Sequence, residues 1–266
     1  LGVPEGVMKD VIVLPWNDVE VVEKTVKKHK NEVAAVITEP CMGNTTSIPP
    51  QEGYLRALRE ITEVNDIVLI FDEVITGFRL STGGAQKHYG VTPDASTAAK
   101  ALGNGVPIAC FVGKEEIMEP IKTGKVMVSG TYNSNPLVLA AALATLEALE
   151  ANDGFVYKKL YELGGKLMSG IRDSIEETRT QAIVQGPGPC FQIIFTPLEK
   201  VRNYREACTA NETAYVKLYQ ELLKRGVYIP QGHFENWFIS AAHGKEDIEK
   251  TIVAVEESLR ATKITV

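Results

Sequence analysis

A chain of 266 residues, 44% of them hydrophobic and carrying a formal charge of −6, suits a globular protein of one or two domains with a sizeable core, which excludes a disordered tail. Acidic residues outnumber basic ones, 34 to 28. The one dense basic cluster, Lys24, Lys27, Lys28 and Lys30, is short and lacks interleaved aromatics, so it reads as a solvated helix face and argues against a nucleic-acid partner. No apolar run approaches the length needed to cross a bilayer, which argues against a membrane partner. Cys41, Cys110, Cys190 and Cys208 are scattered without a Cys-x-x-Cys pair, which argues against a disulfide framework or a zinc site and sets a reducing, cytoplasmic compartment as the expectation. The opening LGVPEGVMKD lacks both a methionine and a secretory pattern and reads as the interior of a longer protein.

Along the chain, the first periodic segment is Asp18 to Asn31, with Val19, Val22 and Val26 at helical spacing and Asp18 at the N-cap position. A strand, VAAVITEP, follows; then a helix over Gln51 to Asn65 with Leu55, Leu58 and Ile61 on one face; then the strand IVLIFDEV. This alternation predicts β-α-β units in a mostly parallel sheet, where ligands bind beyond the carboxyl ends of strands. A further strand, IACFVG, a short helix near Glu115 to Ile121, and an alanine-rich helix from Pro136 to Ala151 complete the first half. Asn152, Asp153 and Gly154 break the pattern, placing a boundary near residues 150 to 154. Beyond it, longer amphipathic helices and short strands around AIVQG, FQIIF and VYIP predict a smaller α+β domain.

The polar residues at the strand ends are the candidate site. Glu39 and Asn44 follow the first strand, Asp72 and Glu73 the second, and Lys100 a third, small-residue strand within DASTAAK that precedes IACFVG. A carboxylate held at a strand terminus can keep a pyridine nitrogen protonated, while a lysine amine facing the same crevice can form an imine with an aldehyde. That pairing describes pyridoxal phosphate chemistry. An ordinary surface lysine and a turn-capping aspartate are the bland alternatives, but a carboxylate directly after four apolar strand residues needs a partner.

The motifs ITEPCMGN, LIFDEVITGFR, AAKALGNGVPIACF and SGTYNSNPLVLAAALATLEAL occur in the order found in class III, fold type I aminotransferases, and the chain resembles the aminomutase branch of that family, the glutamate-1-semialdehyde 2,1-aminomutases. The resemblance covers nearly the whole chain. It implies the C-terminal part of an α/β large domain, residues 1–152, followed by a small α+β domain, residues 153–266. It implies pyridoxal 5'-phosphate, with its pyridoxamine 5'-phosphate form, as cofactor. By resemblance, Lys100 is both tether and proton carrier, Asp72 faces the pyridinium nitrogen, and Val74 sits against the ring's face. Asn44 lies near the phenolic oxygen and Glu39 is a nearby pocket carboxylate. Gly130 and Thr131 reach the phosphate of a neighbouring subunit, so that a homodimer shares its active sites. Core packing for Val74, turn formation for Gly43 and Asn44, and helix capping for Gly130 and Thr131 are the competing explanations.

Three departures from the family pattern stand out. The family's main phosphate-binding turn and ring-stacking aromatic would precede Leu1. Asn104 stands where a third glycine is more common, which asparagine's tolerance of left-handed dihedrals accommodates. Glu235, in GHFENWFISAAH, stands where many relatives carry a carboxylate-gripping arginine, as in the aminomutase branch, so the small-molecule substrate implied is an amino aldehyde or amino acid. Intermolecular transamination and racemisation on the same fold remain alternatives, as does a non-catalytic truncated fragment. His233 and His243 are expected to be hydrogen-bonded structural groups, and Glu73 with Arg79 is expected to form a loop-shaping ion pair.

Overall fold

The computed structural model describes residues 2–262; Leu1 and residues 263–266, which the expected domain bounds include, lie outside it. In chain order the helices are α1 Glu5–Met8, α2 Val19–Lys28, α3 Tyr54–Val64, α4 Gly84–Tyr89, α5 Glu115–Lys122, α6 Pro136–Glu177, α7 Tyr204–Ala207, α8 Glu212–Lys224 and α9 Lys245–Thr262. The strands are β1 Ala35–Thr38, β2 Val68–Glu73, β3 Ala95–Ala98, β4 Cys110–Gly113, β5 Ile183–Gln185, β6 Cys190–Ile194 and β7 Trp237–Phe238.

Strands β1, β2 and β3 pair in parallel and β4 closes the sheet antiparallel to β3. The two parallel connections carry helices, as β-α-β geometry requires. Helix α2 starts where expected, because Asp18 accepts a hydrogen bond from the Val21 N–H at 3.0 Å and so satisfies one of the first-turn donors. Its Val22 and Val26 join Leu55 and Leu58 of α3 and Leu69 and Phe71 of β2 in one core. Burial alternates along β2: Leu69, Phe71 and Glu73 are buried, while Val68, Ile70 and Asp72 are half-buried on the other face. Residue spacing of two thus decides that Asp72 stands away from the core packed by Phe71.

The alanine-rich helix runs into the next one within the span Pro136–Glu177, but the backbone leaves helical geometry from Ala151 to Gly154, with positive φ at Asn152, Asp153 and Gly154. The second sheet, in the order β5-β6-β7, is antiparallel. Here the sequence reading needs correcting. VYIP forms no strand, and the third strand is the dipeptide Trp237–Phe238. The Val227 N–H donates to Leu222 O, closing the end of α8, and Pro230 O accepts from the Tyr215 hydroxyl at 2.9 Å; those bonds commit the segment to a turn. Leu163, Leu167 and Ile171 of α6, Phe191 and Ile193 of β6, Leu218 and Leu222 of α8, and Val255 of α9 fill the second core.

Candidate active site at the strand ends

Asp72 and Thr97 are opposite each other in the β2–β3 ladder. Asp72 Oδ1 accepts from Thr97 Oγ1 at 3.1 Å and from the Val74 N–H at 3.0 Å, the second an Asx turn that ends the strand. Both bonds fall on the same oxygen, and Asp72 has no ion-pair partner among the described residues. A half-buried carboxylate with one oxygen engaged and the other unclaimed is suited to meeting a cationic or N–H donor. Val74 itself stands in the turn, because β2 ends at Glu73. The same-side argument for its side chain therefore stops one residue short.

Lys100 follows β3 and opens the 3-10 turn Lys100–Leu102. It is exposed, and no hydrogen bond or ion pair among the described residues engages its amine. Its φ of +42° is left-handed, a conformation that costs a non-glycine residue of order 1 kcal/mol or more and collects at functional sites. Glycine follows immediately at Gly103, where an added Cβ would meet Val106 O at 2.4 Å; the turn leaves no room for a side chain there.

Glu39 ties this pair to the first strand. Its carboxyl is pushed above the ordinary range by burial, against the pull of the Gly43 N–H bond, and it feels the negative charge of Asp72 and the positive charge of Lys100. Glu39 Oε2 accepts the Gly43 N–H at 3.0 Å. An added Cβ on Gly43 would come within 2.4 Å of Ile75 Cδ1, so only glycine lets this turn close against the segment after β2. Glu39, Asp72 and Lys100, from three strand ends, thus share one electrostatic neighbourhood.

The loop after β1 is held from the other half of the chain. Asn236 Nδ2 donates to Asn44 Oδ1 at 3.2 Å, Ser47 Oγ donates to Asn236 Oδ1, and the Thr46 N–H donates to Phe234 O at 3.0 Å. Glu235 lies in that same segment; its side chain is exposed and its carbonyl accepts from the buried Gln192 Nε2. Glu235 is thus brought beside the Asn44 loop. Among the described residues, no hydrogen bond brings Gly130 and Thr131 to the strand ends. They lie exposed in a turn closed by the Asn133 N–H on Gly130 O at 3.0 Å, and Asn135, rather than Thr131, caps α6 by accepting the Leu137 N–H at 3.0 Å.

Glu73 and Arg79 form no ion pair, contrary to expectation. Glu73 is 2% exposed and accepts from Thr76 Oγ1, the N–H groups of Ala85 and Gln86, and Gln86 Nε2, anchoring the start of α4. Period two sends Glu73 to the core face, away from Arg79. The Arg79 Nε–H donates to Ile75 O at 2.9 Å and its guanidinium stacks 4.1 Å from the Phe238 ring centre. Tyr157 and Tyr161 donate to the carbonyls of Phe78 and Leu80, so the loop after Asp72 is gripped by α6. The histidines behave as structural groups: His243 Nδ1 accepts the Ser240 N–H at 3.0 Å, and His233 packs 4.0 Å from Phe234. Thr97 and Asn236 escaped the sequence reading. Thr97 was findable from the alternation of a short strand beside Asp72, whereas nothing in the sequence links Asn236 to Asn44.

Known proteins resemble this chain over nearly its whole length. The family model described as "Aminotransferase class-III" matches residues 8–254. A glutamate-1-semialdehyde 2,1-aminomutase of Archaeoglobus fulgidus is 44% identical over 259 residues, 97% of this chain and 60% of that protein. One from Ignicoccus hospitalis is 44% identical over 260 residues, again 97% of this chain and 60% of the relative. Among solved structures, an omega-transaminase from Sphaerobacter thermophilus superposes with a TM-score of 0.90 at 30% identity, covering 98% of this chain and 60% of that one. A glutamate-1-semialdehyde-aminomutase from Pseudomonas aeruginosa PAO1 in complex with PMP gives 0.83 at 29%, covering 93% and 56%. The chain therefore spans about 60% of the length of the curated relatives it matches. An α/β chain whose parallel strands end in this acid and this lysine, matched over nearly its full length, belongs to the class-III aminotransferase family.

Proposed function

We propose that the protein of which this chain is the whole or a part transfers amino groups with pyridoxal phosphate, and that its reaction is the conversion of glutamate-1-semialdehyde to 5-aminolevulinate. The observation that carries this reading is the convergence of Asp72, Lys100 and Glu39 at three neighbouring strand ends, within a chain 44% identical to named aminomutases. The cofactor, when bound, supplies an aldehyde that condenses with amines and a cationic ring that withdraws electrons.

The residues present fit that group. Asp72, with one oxygen fixed by Thr97 and Val74 and the other unclaimed, would meet the ring nitrogen and keep its proton in place. Lys100, whose amine has no partner among the described residues, would tether the cofactor and carry the proton between the substrate carbon and C4′ of the cofactor, a task that needs a mobile amine close to the reacting atom. Asn44 would donate near the phenolic oxygen, and Val74 would bear on the ring. Glu39 and Glu235 would line the substrate end, where Glu235 takes the place of an arginine and disfavours a second carboxylate.

The two parts of the chain, residues 1–152 and 153–266, would serve as a cofactor-binding domain and a smaller covering domain. Gly130 and Thr131, far along the chain from the acid and lysine and exposed, would serve the phosphate of a second copy in a homodimer. Exposed Val126, Met127, Val128, Tyr132 and Leu137 around them support an apolar subunit contact there. Cytoplasmic location fits four free cysteines, two of them buried. No helix among the described residues is long and apolar enough to cross a membrane.

A second reading, intermolecular transamination, is favoured by the higher TM-score to the omega-transaminase. One assay separates them: 5-aminolevulinate formation by the pyridoxamine phosphate-loaded protein with glutamate-1-semialdehyde alone. Sustained turnover without an amino donor is expected; strict dependence on a donor would overturn the mutase reading.

A further inference from the structure

We infer that Asn236 is a positioning residue that aims the Asn44 amide, presenting its N–H rather than its oxygen to the cofactor. The inference rests on the reading of Asn44 given above and adds a residue from the far end of the chain. Asn236 is 1% exposed and sits between two partners. Ser47 Oγ donates to its Oδ1, and its Nδ2 donates to Asn44 Oδ1 at 3.2 Å.

The direction of this relay decides what Asn44 offers. An amide has one acceptor end and one donor end, so whichever end Asn236 engages leaves the other for a ligand. With Asn44 Oδ1 taken, its Nδ2 has no partner among the described residues, and Asn44 is exposed. If Asn236 were rotated by half a turn, the Asn44 oxygen would face outward and would repel a phenolate. Cys190 Sγ lies 3.4 Å from Ser47 Oγ. The thiol is pushed up to about 11, first by burial, so it keeps its proton and can supply it to Ser47 Oγ. Ser47 is then free to give its own proton to Asn236. A backbone contact joins the two loops, the Thr46 N–H donating to Phe234 O at 3.0 Å, and the Gln192 side chain of β6 anchors the second loop by donating from Nε2 to His233 O at 3.1 Å. The relay thus runs from the second sheet, through Ser47 and Asn236, to the loop after β1.

An N–H aimed at a phenolic oxygen stabilises its anion, so the protonated nitrogen beside that oxygen releases its proton at lower pH; losing the N–H raises that midpoint. The test is a pH titration of the visible absorbance of the pyridoxal phosphate-loaded protein. Asn44→Ala is expected to raise the midpoint by about 0.5–1 unit, and Asn236→Ala by a similar amount. Asn236→Asp, which can only accept from Asn44, should raise it at least as far. The double variant Asn44→Ala/Asn236→Ala should go no further than Asn44→Ala, because the two act through one contact. A shift in Asn44→Ala with none in Asn236→Ala overturns the relay alone, while no shift in either overturns the assignment of Asn44 and the relay with it. A second measurement needs no cofactor. The side-chain amide resonances of Asn44 in the free protein should move in Asn236→Ala and in Ser47→Ala; resonances unchanged in both overturn the relay.

Discussion

Thr97 Oγ1 donates to Asp72 Oδ1 across the β2–β3 ladder at 3.1 Å, and this bond aims the acid that the proposed chemistry needs. Thr97→Val keeps the β-branched shape that suits a strand but removes the donor. A hydrogen bond to a charged group contributes roughly 1.5–3 kcal/mol, so kcat/KM should fall about tenfold or more while the fold is retained. Steady-state kinetics of Thr97→Val beside Thr97→Ser checks this, and recovery in the serine variant is expected.

Asp72→Asn replaces the charge and leaves the shape. If the carboxylate holds a protonated ring nitrogen, amino transfer should drop by roughly 10²-fold or more, the scale seen when a preorganised electrostatic partner is removed. Cofactor content measured by absorbance separates lost chemistry from lost binding.

Lys100→Ala should abolish the borohydride-reducible absorbance of the cofactor-loaded protein without lowering the melting temperature. Lys100 is exposed, makes no ion pair among the described residues, and holds a left-handed φ, so its removal forfeits no packing. An absorbance band that survives both borohydride and the substitution would contradict the tether.

Asp94 bears on stability rather than chemistry. It accepts the Leu69 N–H at 2.8 Å and pairs with Arg59 at 2.9 Å and Lys114 at 2.7 Å. Burial alone would raise its carboxyl, but Lys114, the Leu69 N–H and Arg59 outweigh it, and the net shift is downward. A carboxyl lowered in the folded state contributes stability above its unfolded value of about 3.9, and that contribution is lost as pH falls through the folded value. Asp94→Asn should therefore cost about 3 kcal/mol at neutral pH, with the gap to the natural chain closing below about pH 4. Denaturant titrations at several pH values test both parts.

Glu73→Ala should destabilise by about 2–4 kcal/mol, because it leaves the Ala85 and Gln86 N–H groups and Thr76 without their acceptor in a buried setting. Gly84 should tolerate no side chain, since an added Cβ would come within 2.4 Å of Glu73 Oε2 and its φ is +67°. Chemical unfolding of Glu73→Gln, which keeps an acceptor oxygen, should show a smaller loss.

The sequence by itself determined the alternation of strands and helices around β1 to β3, the Asp18 cap, the interruption of the long helix near Asn152, and the placing of Lys100 just beyond β3; Asp72, expected after its strand, is in fact the last residue but one of β2. Each of these is written in local spacing, capping and apolar runs, where neighbours in the chain decide the outcome. Only the tertiary structure decided that Glu73 turns inward to α4 instead of pairing with Arg79, that Trp237–Phe238 rather than VYIP completes the second sheet, that Thr97 orients Asp72, and that Asn236 reaches Asn44. These depend on strand register and on contacts between residues as far apart as 44 and 236, and the free energy that selects them comes from burial and hydrogen-bond satisfaction shared across the whole fold, which no local window of residues contains.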